Sequence, residues 1–317
     1  MSPRRGPSSL GRAISRRTLV WVGIVVVALV VIDVVLVGLA VARTAPVMSG
    51  TAGPIPTFSS TPIPTGTGTA APQPTATSGT AAMVTPGRHL LSATNGLEAW
   101  RASSGTCGGD EAVLQHTVDG GKSWTSVGLG DGASTVLALR ASSTGVAVVA
   151  GTGDDCAPTV RTSTDDGATW KDGTEGAAGA AIGTDGLLLK SGTVDAPCPD
   201  PIEVFEGTYT TAVTCDGEVQ WRSGTGAWVA APIDGVRSLA DAGNTYTLAR
   251  TGIASCDGVQ IASMPAAKVT ATTEPTAVGC AAGADASGAV TIARSGQHVW
   301  LWAGDSVQVS GDGGVTW

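Results

Sequence analysis

The sequence predicts an all-β repeat domain held behind one transmembrane helix, and three observations predict it. The pattern Ser/Thr-x-Asp-x-Gly-x-Ser/Thr-Trp occurs in full three times after residue 116. The chain carries 45 glycines but only two Phe and two Tyr, a composition of short strands and tight turns rather than amphipathic helices. One stretch, residues 19–42, is apolar except for Asp33.

That stretch comes first along the chain. About 20 apolar residues cross a bilayer, so 19–42 reads as a signal-anchor helix, with cleavage after Ala40-Val41-Ala42 left as the alternative. Arg4, Arg5, Arg12, Arg16 and Arg17 lie in the basic tail 1–18, whereas only Arg43 closely follows the span. This asymmetry keeps the N-terminus in the cytoplasm and exports the remainder. Asp33 sits near mid-span, where an ionised carboxylate costs about 2.5–3.5 kcal/mol. It reads either as protonated or as satisfied by a partner helix. Residues 43–87 are mostly Thr, Pro, Ala, Gly and Ser, with few large apolar residues and no charge after Arg43, a segment that cannot form a core and reads as a disordered stalk. Residues 88–317 hold 12 Lys/Arg against 25 Asp/Glu, a balance that excludes a nucleic-acid surface.

Within 88–317 the full copies run Thr117–Trp124, Ser163–Trp170 and Ser310–Trp317. Their fixed positions are Asp119, Gly121 and Trp124, then Asp165, Gly167 and Trp170, then Asp312, Gly314 and Trp317. Asp and Gly are turn residues, and the carboxylate accepts N–H groups of its own turn. A decayed copy ends at Trp228. The pattern resembles the Asp-box, or bacterial neuraminidase repeat, of sialidases, sortilin-type receptors and photosystem II assembly-factor propellers. The resemblance implies a β-propeller of four-stranded blades, with each box in the hairpin between the third and fourth strands and its Trp packed between blades. The Trp spacings of 46, 58 and 89 give about five blades, and the long third repeat around Ala181–Leu189 leaves six open. On this placement the last blade reaches Trp317 with three strands, and His89–Ser92 is expected to pair with its edge and close the ring.

Cys107, Cys156, Cys198, Cys215, Cys256 and Cys280 all lie in the exported part, which favours disulfides. Fifteen connectivities exist for six cysteines, and pairing of sequence neighbours is the expectation. No metal site is assigned: no C-x-x-C occurs, and His89, His116 and His298 are scattered. Asp154-Asp155 and Asp165-Asp166 lack the alternating spacing of a calcium loop, and Asp165 is committed to its turn. No cofactor is assigned.

The sialidase resemblance implies a Tyr nucleophile and an arginine triad, but the domain has only Tyr209 and Tyr246 and no Arg-Ile-Pro segment. Arg101, Arg140, Arg161, Arg222, Arg237, Arg250 and Arg294 read as scattered charges, so no catalytic residue is assigned. The expected function is a non-enzymatic binding or assembly scaffold for an envelope protein or glycan. A surface-displayed, exo-sialidase-like glycoside hydrolase is the alternative. Trp100, Trp221, Trp300 and Trp302 stand outside the boxes and suit blade-core packing better than sugar stacking.

Overall fold

The computed structural model describes residues 88–130, 132–153, 155–216 and 218–317. The tail, the apolar span with Asp33, the stalk and Asp154 lie outside the described residues. Among the described residues there is no helix.

The described chain folds into six antiparallel sheets, each a meander of consecutive strands. Blade 1 holds β1 (His89–Ala93), β2 (Ala99–Ser103), β3 (Val113–Thr117) and β4 (Thr125–Val127). Blade 2 holds β5 (Ala133–Ser142), β6 (Gly145–Thr152), β7 (Ala157–Ser163) and β8 (Lys171–Asp172). Three strands form blade 3: β9 (Ala181–Gly183), β10 (Gly186–Leu189) and β11 (Gly192–Val194). Blade 4 comprises β12 (Glu203–Glu206), β13 (Thr210–Cys215), β14 (Glu218–Ser223) and β15 (Val229–Ala231). Blade 5 comprises β16 (Val236–Asp241), β17 (Thr245–Arg250), β18 (Gly258–Pro265) and β19 (Thr276–Ala282). Blade 6 holds β20 (Val290–Ser295), β21 (His298–Ala303) and β22 (Ser306–Ser310). The long third repeat thus contains two blades rather than one, and the propeller has six.

Each blade's first strand lies beside the first strand of the next, and β20 returns to lie beside β1. The first strands therefore ring a central axis. Second strands such as β6, β13, β17 and β21 are buried almost throughout, because neighbouring blades cover both of their faces. That is why β6 and β21 read as near-continuous apolar runs, while β13 and β17 bury threonines among their apolar residues. The outermost β4 and β8 are short and largely exposed, which blunts the sheet edges.

The apolar core divides into one cluster per blade junction. Trp221, Leu239, Tyr246 and Met264 fill the junction of blades 4 and 5, and Ile261, Ile292 and Leu301 fill that of blades 5 and 6. Leu114, Val136 and Val148 join blades 1 and 2. The junction of blades 2 and 3 is poorer, built on Ala138, Ala147 and Val149 against Ala178 and Ala181. Leu187 and Val213 join blades 3 and 4.

Blade 6 meets blade 1 by face packing, not by strand exchange. The expectation that His89–Ser92 pairs with the last blade's edge is overturned: β1 pairs with β2, His89 against Ser103, as the innermost strand of its own sheet. Closure comes instead from side chains. Trp300 is fully buried against Ala99 and Trp124, and its Nε1 donates to the Asn95 carbonyl at 2.8 Å. His89 stacks on Trp302 at 3.6 Å, and the Arg101 guanidinium lies between the Trp124 and Trp302 rings. Burial foremost, with Arg101 nearby, holds His89 below the usual histidine range. Trp100, Trp221, Trp300 and Trp302 are all buried in this way, as core rather than as surface.

The three repeated turns share one hydrogen-bond scheme. The hydroxyls of Thr117, Ser163 and Ser310 donate to Asp119, Asp165 and Asp312 Oδ1 at 2.7–2.8 Å. The same oxygens accept the backbone N–H of Ser123, Thr169 and Thr316 at 2.9–3.0 Å. Each closing Trp packs onto the preceding blade: Trp124 on blade 6, Trp170 on blade 1 and Trp317 on blade 5. Trp228 does the same on blade 3 although its turn lacks the Asp.

Disulfides join Cys107 to Cys156, Cys198 to Cys215 and Cys256 to Cys280, so the bonds follow sequence neighbours. The first ties the β2–β3 loop of blade 1 to the β6–β7 loop of blade 2. The others act within or just ahead of blades 4 and 5.

Candidate functional site: the axial channel

The ring of first strands encloses a channel of about 2120 Å³. Its wall is built from β1, β5, β9, β12, β16 and β20, and includes Ala138, Leu239 and Ile292, which also enter blade junctions. Polar groups on that wall include Arg88, Arg140, Glu203, Arg237, Asp241 and Arg294.

Arg88 stands just before β1 and is held there by Ser104, its N–H donating to Ser104 Oγ at 2.7 Å and its carbonyl accepting the Ser104 N–H at 2.8 Å. Its guanidinium reaches the Ile182 carbonyl of blade 3 at 3.3 Å. Because blade 2 lies between, the side chain crosses part of the channel. Burial lowers its pKa, and the field of Glu203 acts in the opposite direction.

Glu203 begins β12 and turns its carboxyl toward blade 5. Oε2 accepts the Leu239 N–H at 2.6 Å, and Oε1 accepts the Ser238 hydroxyl at 3.2 Å. Ser238 Oγ in turn accepts the Ile292 N–H of blade 6 at 3.0 Å. One polar chain therefore links blades 4, 5 and 6 at the axis. Desolvation raises the Glu203 pKa to about 7, outweighing these hydrogen bonds and Arg88. The residue keeps some accessible surface toward the channel, but its carboxyl is enclosed by protein on the other sides, and that enclosure governs its titration.

The remaining candidates from sequence do not converge here. The Tyr246 hydroxyl is bonded to Thr210 Oγ1 at 2.8 Å inside the junction of blades 4 and 5, and burial raises its pKa. Tyr209 is exposed on the β12–β13 turn. Arg294 is engaged by Thr247 Oγ1, Gly296 O and Gln297 Oε1, and Arg161 by the Leu129 carbonyl. Arg101, Arg222 and Arg250 serve stacking or loop contacts. Of the seven arginines singled out in the sequence, Arg140, Arg237 and Arg294 line the channel. Sequence reading missed Arg88 and Glu203 as channel residues, because both stand at strand starts that no repeat marks.

No family model matches the chain, and no curated protein does. Among solved structures it is similar to YCF48 bound to D1 peptide, at 16% identity over 72% of this chain and 64% of that one, TM-score 0.28. It is similar to the GH74 enzyme of Niastella koreensis at 14% identity over 70% of this chain and 45% of that one, TM-score 0.39. Penicillium chrysogenum α-L-arabinanase complexed with arabinobiose is similar at 10% identity over 72% of this chain and 79% of that one, TM-score 0.34. The chain thus spans less than two thirds of the length of the first two. At these values the likenesses carry no site or substrate to this chain.

Proposed function

We propose that the chain is a membrane-anchored, extracytoplasmic propeller that acts as a non-enzymatic binding or assembly scaffold, engaging an envelope protein or glycan at its axial channel. The observation that carries this reading is the engagement of the channel's chemistry in structure. Glu203 braces blades 4 and 5 with both oxygens, and Tyr246 is sealed in a blade junction. A channel of about 2120 Å³ is also larger than the roughly 300–1,000 Å³ of small-molecule sites, so an extended segment or oligosaccharide suits it better than a metabolite. The three disulfides accord with an oxidising compartment.

The test is site-specific photo-cross-linking of the full-length protein in its own membranes. A cross-linker at Arg237, on the channel wall, is expected to trap an adduct that the same group at Ser126, on the outer edge, does not. Equal labelling at both places would remove the channel from the reading.

One observation favours the glycosidase alternative. A channel carboxyl titrating at about 7 lies in the range of a general acid. Turnover of fluorogenic sialosides by the full-length protein, abolished in Glu203→Gln, would replace the scaffold reading. No turnover in either protein would retire this alternative for sialosides.

A further inference from the structure

A cluster of ligating side chains lies on the rim between blades 1 and 2. His116 Nε2 stands 3.3 Å from Glu98 Oε1, and the nearest ligand atoms of Glu98, His116 and Asp166 all lie within 4.8 Å of one another. Glu98 and His116 belong to blade 1, and Asp166 to the repeated turn of blade 2. The imidazole is mostly buried and stacked on the buried Trp100 at 4.1 Å, which fixes its plane.

Comparison with the junction of blades 6 and 1 makes this cluster more than an accident of surface charge. The two junctions are built alike. A Cβ on Gly167 would meet the Trp100 ring at 3.5 Å, and one on Gly121 would meet the Trp300 ring at 3.3 Å. Trp100 pairs with His116 across its sheet, as Trp300 pairs with Val309. The positions held by Glu98, His116 and Asp166 at one junction are therefore held by His298, Val309 and Gly120 at the other. Only the first set supplies an imidazole flanked by two carboxylates.

Asp166 departs from its repeat in a telling way. It has φ +55°, whereas the same turn position is Gly120 at +78° and Gly313 at +81°. Glycine is the default residue for that backbone and Asp is one of the few others that adopt it, so the turn can carry a carboxylate there. The substitution occurs in the one turn that faces His116 and Glu98.

We infer that Glu98, His116 and Asp166 form a binding site for a divalent transition-metal ion, Zn²⁺ foremost, that clasps blade 2 to blade 1. Ligands at about 2.0–2.2 Å in a tetrahedron stand about 3.3–3.5 Å apart, which matches the His116–Glu98 separation of 3.3 Å. The exposed Asp166 carboxylate closes the remaining distance by side-chain rotation. One nitrogen and two oxygens leave the fourth position for water or an external ligand. The imidazole selects transition ions over Ca²⁺, which takes oxygen ligands.

The full-length protein in detergent, stripped with chelator, tests this by calorimetric titration with Zn²⁺ and with Ca²⁺. One saturable equivalent of Zn²⁺ is expected, and Co²⁺ at the same site should give the visible bands of a four-coordinate centre. Asp166→Gly restores the residue of the other turns, so its melting temperature in chelator should equal or exceed that of the parent. Its Zn²⁺ dissociation constant should nevertheless rise at least tenfold, and Glu98→Gln should weaken binding likewise. Absence of saturable Zn²⁺ binding, an unchanged constant in Asp166→Gly, or tighter Ca²⁺ than Zn²⁺ binding would each overturn the proposal.

Discussion

At the scale of single residues, Glu203 is the carboxyl that burial pushes upward, whereas the turn aspartates are pulled down. The carboxyl titrates near 4.5 when unfolded and at about 7 in the channel, so the folded state keeps a proton that the unfolded chain has released. Its contribution is therefore fully present below about pH 4.5 and is lost as pH rises through about 7. A gap of that size corresponds to at most about 3 kcal/mol, with the attraction of Arg88 for the ionised form already included. Glu203→Gln keeps the shape and acceptor of the protonated acid without its titration. Relative to the parent it should be neutral at pH 4 and gain about 1–3 kcal/mol by pH 8 in denaturant melts. A stability difference that does not change with pH would show that Glu203 is not held neutral by its surroundings.

At the scale of elements, the repeated turns are stable because one carboxylate gathers the donors of its own loop. Hydroxyl and backbone donors, those of Ser123 and Thr169 foremost, pull Asp119 and Asp165 to about 2, and Thr316 pulls Asp312 lower still. Here the folded pKa lies below the unfolded one, so the turns' contribution is present above about pH 3.8 and is lost as pH falls through about 2. Asp165→Asn should therefore lower the melting temperature at pH 7 and narrow its gap to the parent below pH 3, which a thermal melt series reads directly. A second element-scale constraint is Gly279 in β19, at a bulge where two residues of β19 oppose a single step of β18. A Cβ there would collide with the Gly314 carbonyl oxygen of the docked blade 6 turn. Gly279→Ala is expected to cost more than about 2 kcal/mol, because backbone on both sides must shift; a loss below about 0.5 kcal/mol would mean that the turn is not seated there. These turns were legible in sequence because their chemistry is local. Asp, Gly and the hydroxyl residue meet within eight positions, so spacing alone reports the geometry. Blade 3 was legible only as an over-long third repeat that left six blades open, since it has neither repeated turn nor fourth strand and only the short apolar run Leu187-Leu188-Leu189 marks it. The channel was illegible for a different reason: Arg88, Ile182, Glu203, Ser238 and Ile292 come from five blades and meet only when the ring closes. The rim cluster had one signal in the sequence, the Asp in place of Gly at position 166, but its partner His116 belongs to the preceding blade.

At the scale of the whole molecule, the decisive step is closure between blades 6 and 1. Every other junction joins neighbours in sequence, so its contacts form with little loop entropy. The Trp300–Asn95 and Ser295–Thr94 hydrogen bonds join residues 205 and 201 positions apart. No β1–β22 ladder assists them, and the strand-exchange closure expected from sequence fails because β1 is already used as the inner strand of blade 1. The junction must therefore be held by packing: Trp300, the His89–Trp302 stack and Arg101 between two indoles. Contacts of such long sequence separation repay their loop entropy only after the intervening blades exist. They belong after the transition state, and mutations in them should act on unfolding rather than folding. Trp300→Ala, which empties a fully buried site and removes the bond to the Asn95 carbonyl, should cost about 3–5 kcal/mol. In denaturant-jump kinetics nearly all of that loss should appear as faster unfolding, with a φ-value near zero. Val148→Ala in β6, within the local junction of blades 1 and 2, should slow folding instead. A high φ-value at Trp300 would mean that the ends of the described domain meet early, and that the ring is nucleated at its seam rather than closed there.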